Sequence, residues 1–455
     1  MSEPNISENL FAIVVHPALR GEEGLRAPEA RLEEAVGLSA AIDLQVVDTM
    51  IAPVQKPRPA TLLGGGKVEE IRARLDAHDP RPALVIVDGA LSPVQHRNLE
   101  KEWDVKVLDR TALILEIFGD RAQTAEGRLQ VDLAHLEYQR SRLVRSWTHL
   151  ERQRGGAGFL GGPGERQIES DRRALDDKIV RLKKKLEEVR RTRTLQRAKR
   201  KRAPHPVVAL VGYTNAGKST LFNRLTRAGV MAENLLFATL DPTMRAIDLP
   251  SGVRLILSDT VGFISDLPTQ LVAAFRATLE EVLEADVIIH VRDIAHEDSD
   301  AQRADVIKVL GELGLKGDDG RPVIEALNKV DLLDGDDRLD AEAIARLSQT
   351  GRIGTLAEPV RAAISAETGE GVDRLLALVE EALTAEHERI TVRLPSPFGA
   401  ARAWLHNRAE IIEETPSGDD MIVTVRLSKK TEGQFFKQFP AASAAVVEVL
   451  SEQRA

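Results

Sequence analysis

Cysteine is absent from all 455 residues, which excludes a disulfide framework, a thiolate metal site and a cysteine nucleophile together. Long apolar runs are absent too: none approaches the ~20 residues a membrane span needs. The opening MSEPNISENL has neither the basic segment nor the apolar core that directs export. A cytoplasmic protein without a transmembrane segment is therefore expected. What the chain does contain is ordinary globular material, 43% hydrophobic and 29% charged, enough for several buried cores.

The net charge of -9 taken alone argues against nucleic acid, but the charge is unevenly distributed. Residues 111–202 hold 23 basic and 13 acidic side chains, a local balance of +10 that leaves -19 for the rest. Within that stretch RLKKKLEEVRRTRTLQRAKRKR, residues 181–202, has twelve basic and two acidic residues, a pattern that suits either a solvated linker helix or a polyphosphate-binding surface.

Four segments follow from the patterning. In residues 1–110, apolar runs at Leu10–Val15, Ile42–Val47, Ala83–Val87 and Val105–Leu108 alternate with helical patterns at Pro28–Ala41, Val68–His78 and Pro93–Trp103. This alternation predicts a small parallel sheet covered by helices, with Ala52–Pro59 as a connecting loop. In residues 111–203, apolar residues recur at steps of four and three: Leu129, Leu133, Leu136, Leu143, Trp147, with Arg140 interrupting, then Ile168, Leu175, Ile179, Leu182, Leu186, Val189. Two helices facing through these seams make a basic antiparallel hairpin. Its bend falls between Gly155 and Gly164, where six of ten residues are glycine.

Residues 204–387 resume the alternation with strands at Val207–Val211, Val253–Leu257, Val287–Val291, Val323–Leu327 and Val360–Ile364, a doubly wound α/β domain whose ligand belongs at the strands' carboxyl ends. Residues 388–455 read as strand Ile390–Leu394, helix Ala400–Glu413, strand Met421–Leu427 and helix, a small α+β unit. Neither hairpin seam demands a second chain, so a monomer is expected.

The chemistry sits in the third segment. Gly212-Tyr213-Thr214-Asn215-Ala216-Gly217-Lys218-Ser219 fits the phosphate-binding loop G-x-x-x-x-G-K-[ST] between a buried strand and a helix beginning near Thr220. Its backbone N–H groups can converge on phosphates, Lys218 adds charge at the β and γ groups, and Ser219 offers a hydroxyl to magnesium. Asp259-Thr260-Val261-Gly262 follows the next strand, where Asp259 can hold magnesium through water and the Gly262 N–H can meet the γ-phosphate. In Asn328-Lys329-Val330-Asp331, the Asp331 carboxylate can accept from guanine N1 and N2 together, which adenine cannot satisfy. Ser365-Ala366-Glu367 fits the loop whose backbone reads guanine O6. Alone, each of the shorter phrases is a turn; in this order at successive strand ends the four resemble a GTPase of the translation-factor-related class.

Between Lys218 and Asp259 lies the expected first switch, containing Phe237-Ala238-Thr239-Leu240-Asp241. The phrase F-x-T-L-x-P resembles the switch of Obg-like GTPases and favours Thr239 as the residue that closes on the γ-phosphate and ligates magnesium, with Thr243 in reserve. Phe263 stands where many small GTPases carry the glutamine that orients the attacking water, so a slow intrinsic reaction, a catalytic group from elsewhere or an inactive switch is expected. Asn215 resembles the asparagine of potassium-assisted GTPases; either a potassium ion acts as activator beside it or the residue only shapes the loop.

Residues outside the nucleotide motifs carry a closer resemblance. Gly64-Gly65-Gly66-Lys67-Val68-Glu69-Glu70, GGPGERQIESDRR at 161–173, GYTNAGKSTLFNRLT at 212–226, FATLDPT at 237–243 and DTVGFISDLPTQLVAAFRATLEEV at 259–282 resemble the HflX family of ribosome-associated GTPases, within the Obg-HflX superfamily. The likeness runs over about residues 10–385; Arg166 and Ser170 depart from the family's usual threonines. It implies a magnesium-dependent GTPase that binds GTP and GDP, associates with the large ribosomal subunit and its rRNA through the hairpin, separates stalled or idle ribosomes under stress, and is stimulated by the ribosome. A third reading, regulation of a membrane-bound protease with peripheral membrane association, has only the family's name behind it. The competing reading is an RNA-binding or remodelling protein in which GTP is mainly a structural ligand. Some family members are said to use ATP through the first domain, but GGGK lacks the full phosphate-loop pattern and reads as a turn.

Overall fold

A computed structural model describes residues 10–20, 26–153, 163–200, 205–227, 237, 243–265, 281–315, 321–347, 354–384, 387–395, 399–439 and 446–450.

The N-terminal part runs β1 (Phe11–Leu19), α1 (Pro28–Ala40), β2 (Gln45–Val54), α2 (Gly65–Ala77), β3 (Leu84–Val87), α3 (Pro93–Trp103), β4 (Lys106–Asp109), α4 (Arg110–Arg121). Its four strands are parallel in the order β2-β1-β3-β4. β3 reads Leu-Val-Ile-Val and is buried along its whole length, as a strand covered on both faces must be. Val14, Ile86, Leu38 and Ile114 belong to the core on one side, Val15, Val87, Leu99 and Trp103 to that on the other. The expected loop at Ala52–Pro59 begins later than the sequence suggested, because β2 continues through Pro53 to Val54. An edge strand tolerates proline, since one row of its N–H groups has no ladder to complete. The glycines of Gly64-Gly65-Gly66 lead directly into α2, with Gly64 as its N-cap.

α5 (Ala125–Gln153) and α6 (Pro163–Arg200) follow. Lys183 pairs with Glu137 at 2.8 Å and Asp176 with Arg140 at 3.2 Å, so the two helices run antiparallel. Ile179 and Leu186 are buried on α6, and Arg140, which interrupts the apolar seam in sequence, is accommodated by its ion pair. Of the glycine-rich bend expected over Gly155–Gly164, residues 155–162 lie outside the described residues, and Pro163 and Gly164 already belong to α6.

A six-stranded sheet forms the third unit in the order β10-β9-β8-β5-β7-β6. It comprises β5 (Val207–Gly212), α7 (Lys218–Thr226), β6 (Thr243–Asp248), β7 (Arg254–Asp259), β8 (Val287–Asp293), α8 (Ser299–Glu312), β9 (Val323–Asn328), α9 (Gly335–Leu347), β10 (Val360–Ala363) and α10 (Val372–Thr384). All pairings are parallel except β6, an antiparallel edge strand that the sequence reading did not anticipate.

The last unit is β11 (His387–Pro395), α11 (Gly399–Arg408), β12 (Glu410–Ser417), β13 (Asp420–Ser428), α12 (Lys429–Gln438), β14 (Val446–Leu450), with sheet order β12-β13-β11-β14 and antiparallel pairing. The helix expected over Ala400–Glu413 stops at Arg408, and Glu410–Ser417 becomes a strand. The Ile411-Ile412 pair favours a pleated strand, and Gly418, with φ of 66°, closes a hairpin between β12 and β13.

Candidate nucleotide site

The phosphate-loop residues connect β5 to α7, and their backbone explains the glycines. Gly212 has φ of 152°, and a Cβ there would lie 2.2 Å from the Val291 carbonyl oxygen; at Gly217, with φ of 92°, it would lie 2.2 Å from Asn328 Nδ2. Neither position accepts a side chain. Asn215 is left-handed at φ of 59°, one of the few non-glycine residues that visits this region readily, so a loop-shaping role fits its geometry.

Lys218 opens α7 and is buried; its Nζ donates to the Tyr213 carbonyl at 2.7 Å. Burial pushes the ammonium's pKa down to about 8, partly opposed by the Asp259 carboxylate. Ser219 Oγ donates to Asp259 Oδ2 at 2.7 Å, bringing hydroxyl and carboxylate together at the end of β7. Thr260 donates to the Leu210 carbonyl at 2.7 Å, and Val261 is buried. A Cβ on Gly262 would meet Thr214 Cα at 2.9 Å and Lys218 Nζ at 3.1 Å, so Gly262 faces the loop at close range. Phe263 is buried in the core while its backbone pairs with the loop: Thr214 N–H donates to Phe263 O at 2.8 Å and Phe263 N–H to Gly212 O at 3.1 Å.

At the other side of the site Asn328 joins two loops. Its Nδ2 donates to the Ala216 carbonyl at 2.7 Å, and its Oδ1 accepts from Ala366 N–H at 2.8 Å. Lys329, left-handed at φ of 70°, donates to Asp293 Oδ2 at 2.6 Å, while Val330 and Asp331 form a short 3-10 turn. Ser365 is buried and accepts from Thr368 N–H at 3.0 Å. Arg224, which the motif reading passed over, reaches from α7 to the carbonyls of Ala366 and Glu367, the former at 2.6 Å. Thr220 continues α7. Phe237 is buried, and Thr243 begins β6 opposite Asp259; Ala238, Thr239, Leu240 and Asp241 lie outside the described residues.

The sequence also gave no sign that the N-terminal domain reaches this site. The Tyr213 hydroxyl donates to Glu34 of α1; it accepts from Arg26 Nη1 at 2.7 Å and from Ser265 N–H at 2.7 Å. Burial alone would raise the Glu34 carboxyl, but Arg110, the Tyr213 hydroxyl and Arg26 together hold it below the usual carboxylate range. The Tyr213 phenol is pushed up, first by burial and then by the Glu34 charge, and stays protonated as a donor. The only sequence signal was a tyrosine at one of the tolerant positions of the phosphate loop.

A phosphate loop after β5, an aspartate-glycine loop after β7 and an asparagine-stapled base loop after β9 and β10, on the carboxyl edge of one mostly parallel sheet, define a P-loop GTPase. Residues 29–119 match the family described as GTP-binding GTPase N-terminal, residues 121–200 the GTP-binding GTPase Middle Region, and residues 207–329 the 50S ribosome-binding GTPase. The chain belongs to the HflX family of GTPases. GTPase HflX of Magnetococcus marinus is 50% identical over 403 residues, covering 89% of each chain. GTPase HflX of Escherichia coli is 41% identical over 412 residues, covering 90% of this chain and 92% of its own. A crystal structure described as SsGBP with GDP is 25% identical, covers 82% of this chain and 98% of its own, and has a TM-score of 0.48.

Proposed function

We propose that this GTPase binds the large ribosomal subunit and couples GTP binding and hydrolysis to the splitting or rescue of ribosomes under stress, acting as a monomer in the cytoplasm. The observation that carries the reading is the joining of a basic antiparallel hairpin to a GTPase lacking its own glutamine. The described helices include none long and apolar enough to cross a membrane, and α6 carries the positive run that suits rRNA phosphates. The match of residues 207–329 to the 50S ribosome-binding GTPase family supports the same partner.

Within the site, the backbone of Gly212 to Ser219 cradles the phosphates, and Lys218 Nζ moves part of its bonding from the Tyr213 carbonyl to the β and γ groups. Ser219 and Asp259, 2.7 Å apart and both hard oxygen donors, fit magnesium, with Asp259 acting through water and Thr239 as the switch ligand. Bound magnesium supplies charge neutralisation between the β- and γ-phosphates. The Gly262 N–H holds the γ-phosphate, Asp331 selects guanine through its N1 and N2 donors, and the Ser365-Ala366-Glu367 backbone meets O6. If Asn215 also held a potassium ion, that ion would supply the charge an arginine finger provides elsewhere and hydrolysis would be faster in KCl than in NaCl at matched ionic strength; equal rates leave Asn215 as the residue that shapes the loop.

Single-turnover GTP hydrolysis with and without purified large ribosomal subunits tests the function. An increase of about tenfold or more, roughly 1.4 kcal/mol off the barrier, supports a ribosome-stimulated switch. No increase despite binding of both ligands overturns it in favour of an RNA-remodelling protein in which GTP is a structural ligand.

A further inference from the structure

Beside Glu34 and Arg26, the N-terminal domain meets the GTPase site through Arg110 at the start of α4. Arg110 Nη2 donates to the Ser265 carbonyl at 3.1 Å and to Ser265 Oγ at 2.8 Å. Ser265 Oγ donates in turn to Glu34 at 2.7 Å, and its N–H donates to Tyr213. Every polar group of Ser265 is therefore held, and all four participants are buried or nearly so. Arg110 is itself fixed by Asp88 at 2.5 Å and Glu34 at 2.7 Å, and Asp88 by His16 at 2.8 Å. A guanidinium with two carboxylates and a serine around its planar fork has one orientation available.

Ser265 lies three residues beyond Gly262, and Tyr213 lies inside the phosphate loop, so the cluster sets the spacing between the two backbone segments that face the γ-phosphate. The same helix reaches the other switch: Phe118, two turns along α4 from Arg110, packs against Phe237. On its other side the start of α4 is tied to the hairpin. Asp109, the N-cap of α4, accepts from Tyr138 at 2.7 Å and from Arg142 at 2.7 Å, both on α5. Arg142 also stacks over the Tyr138 ring at 4.4 Å.

We propose that Arg110, braced by Glu34, is a positioning residue of GTP hydrolysis, and that Asp109 beside it carries displacements of the hairpin to the switch segment. The proposal rests on the GTPase site described above. A reacting geometry that tolerates only about 0.5 Å of error needs the Gly262 segment held from behind, and Ser265 is where it is held. Tilting α5 moves Asp109 and Arg110 as one piece, because they are consecutive residues at a helix start.

The test is basal single-turnover GTP hydrolysis by the full chain without ribosomes, so that its outcome is independent of whether the large subunit stimulates the enzyme. Arg110→Ala is expected to lower kcat about tenfold while mant-GTP affinity changes less than about twofold, the split that loss of positioning produces. Arg110→Lys should not restore the rate, since an ammonium cannot span the planar fork. Ile71→Val, in the opposite core, controls for lost stability. Should Arg110→Ala not fold, Ser265→Ala removes only the hydroxyl contacts and is expected to lower kcat about threefold. For the hairpin link, Arg142→Ala should slow the wild type but add nothing in the Arg110→Ala or Ser265→Ala background. An unchanged or increased kcat in a folded Arg110→Ala or Ser265→Ala protein, or strictly additive effects with Arg142→Ala, overturns the proposal.

Discussion

Phe118 and Phe237 meet edge to face, ring centroids 4.7 Å apart at 80°, and so join α4 to the residue two positions before Thr239, the proposed switch threonine. Both rings belong to one hydrophobic core that also contains Val211 and Phe263, which makes the boundary between the first domain and the GTPase domain a packed interior. Phe118→Ala should cost roughly 3–5 kcal/mol in thermal or urea unfolding, whereas Phe118→Leu should cost much less because it fills most of the volume. A loss below about 1 kcal/mol for the alanine variant would contradict the packing.

Asn328 bonds Ala216 and Ala366, and through that staple it is expected to support nucleotide affinity. Replacing it by alanine leaves one carbonyl and one N–H unsatisfied in a buried place, at about 1–3 kcal/mol each. GTP and GDP should weaken together, since both depend on the phosphate and base loops lying at the correct separation. Calorimetric titration with each nucleotide checks this, and a variant that loses only GTP would contradict the stapling role.

Asp331→Asn should exchange guanine for xanthine. The amide offers one acceptor and one donor where the carboxylate offers two acceptors, which matches xanthine N1–H and O2 and leaves the guanine amino group opposed by a donor. A fall of about a hundredfold or more in GTP affinity with a gain for XTP is expected from a site that leaves polar groups unpaired. Equal loss of both nucleotides would place Asp331 outside base recognition.

Lys218 should make nucleotide binding pH-dependent. Its pKa is about 8 without phosphate because burial disfavours the charge, and bound phosphates raise it. Above pH 8 binding must therefore take up a proton, so mant-GTP affinity should be flat below about pH 8 and fall by at most about tenfold per unit above it. Lys218→Ala should bind weakly and without that slope. The sign for folding is opposite: between about 8 and the ordinary 10.5 the unfolded chain holds more protons at this site, so the nucleotide-free protein gains stability as pH rises.

The nucleotide motifs were legible because each is a local chemical phrase at a strand end, where backbone geometry demands glycine or a short polar residue. Gly212 and Gly217 could be read directly as positions without room for a side chain. Strand β6 escaped notice because Thr243–Asp248 is an edge strand with mostly part-exposed or exposed residues and little apolar alternation. Strand β12 was absorbed into a helix because the break after Arg408 carries no proline or glycine. The Glu34, Arg110, Tyr213 and Ser265 cluster was invisible for a different reason. Its members are separated by as many as 231 positions, and no local pattern marks a charge whose partners lie on another domain.

Asp88 and Asp109 stand at the carboxyl edge of the first parallel sheet, the edge at which open α/β folds receive a ligand. In this protein the GTPase domain itself occupies that crevice, presenting Ser265 and Tyr213 to Arg110 and Glu34. Withdrawal would leave Arg110 paired with Asp88 and Glu34 of its own domain, but it would strip Ser265 Oγ and the Tyr213 hydroxyl of their partners across the boundary. The place where folds of this kind hold a small molecule thus serves here as a seat for a neighbouring domain.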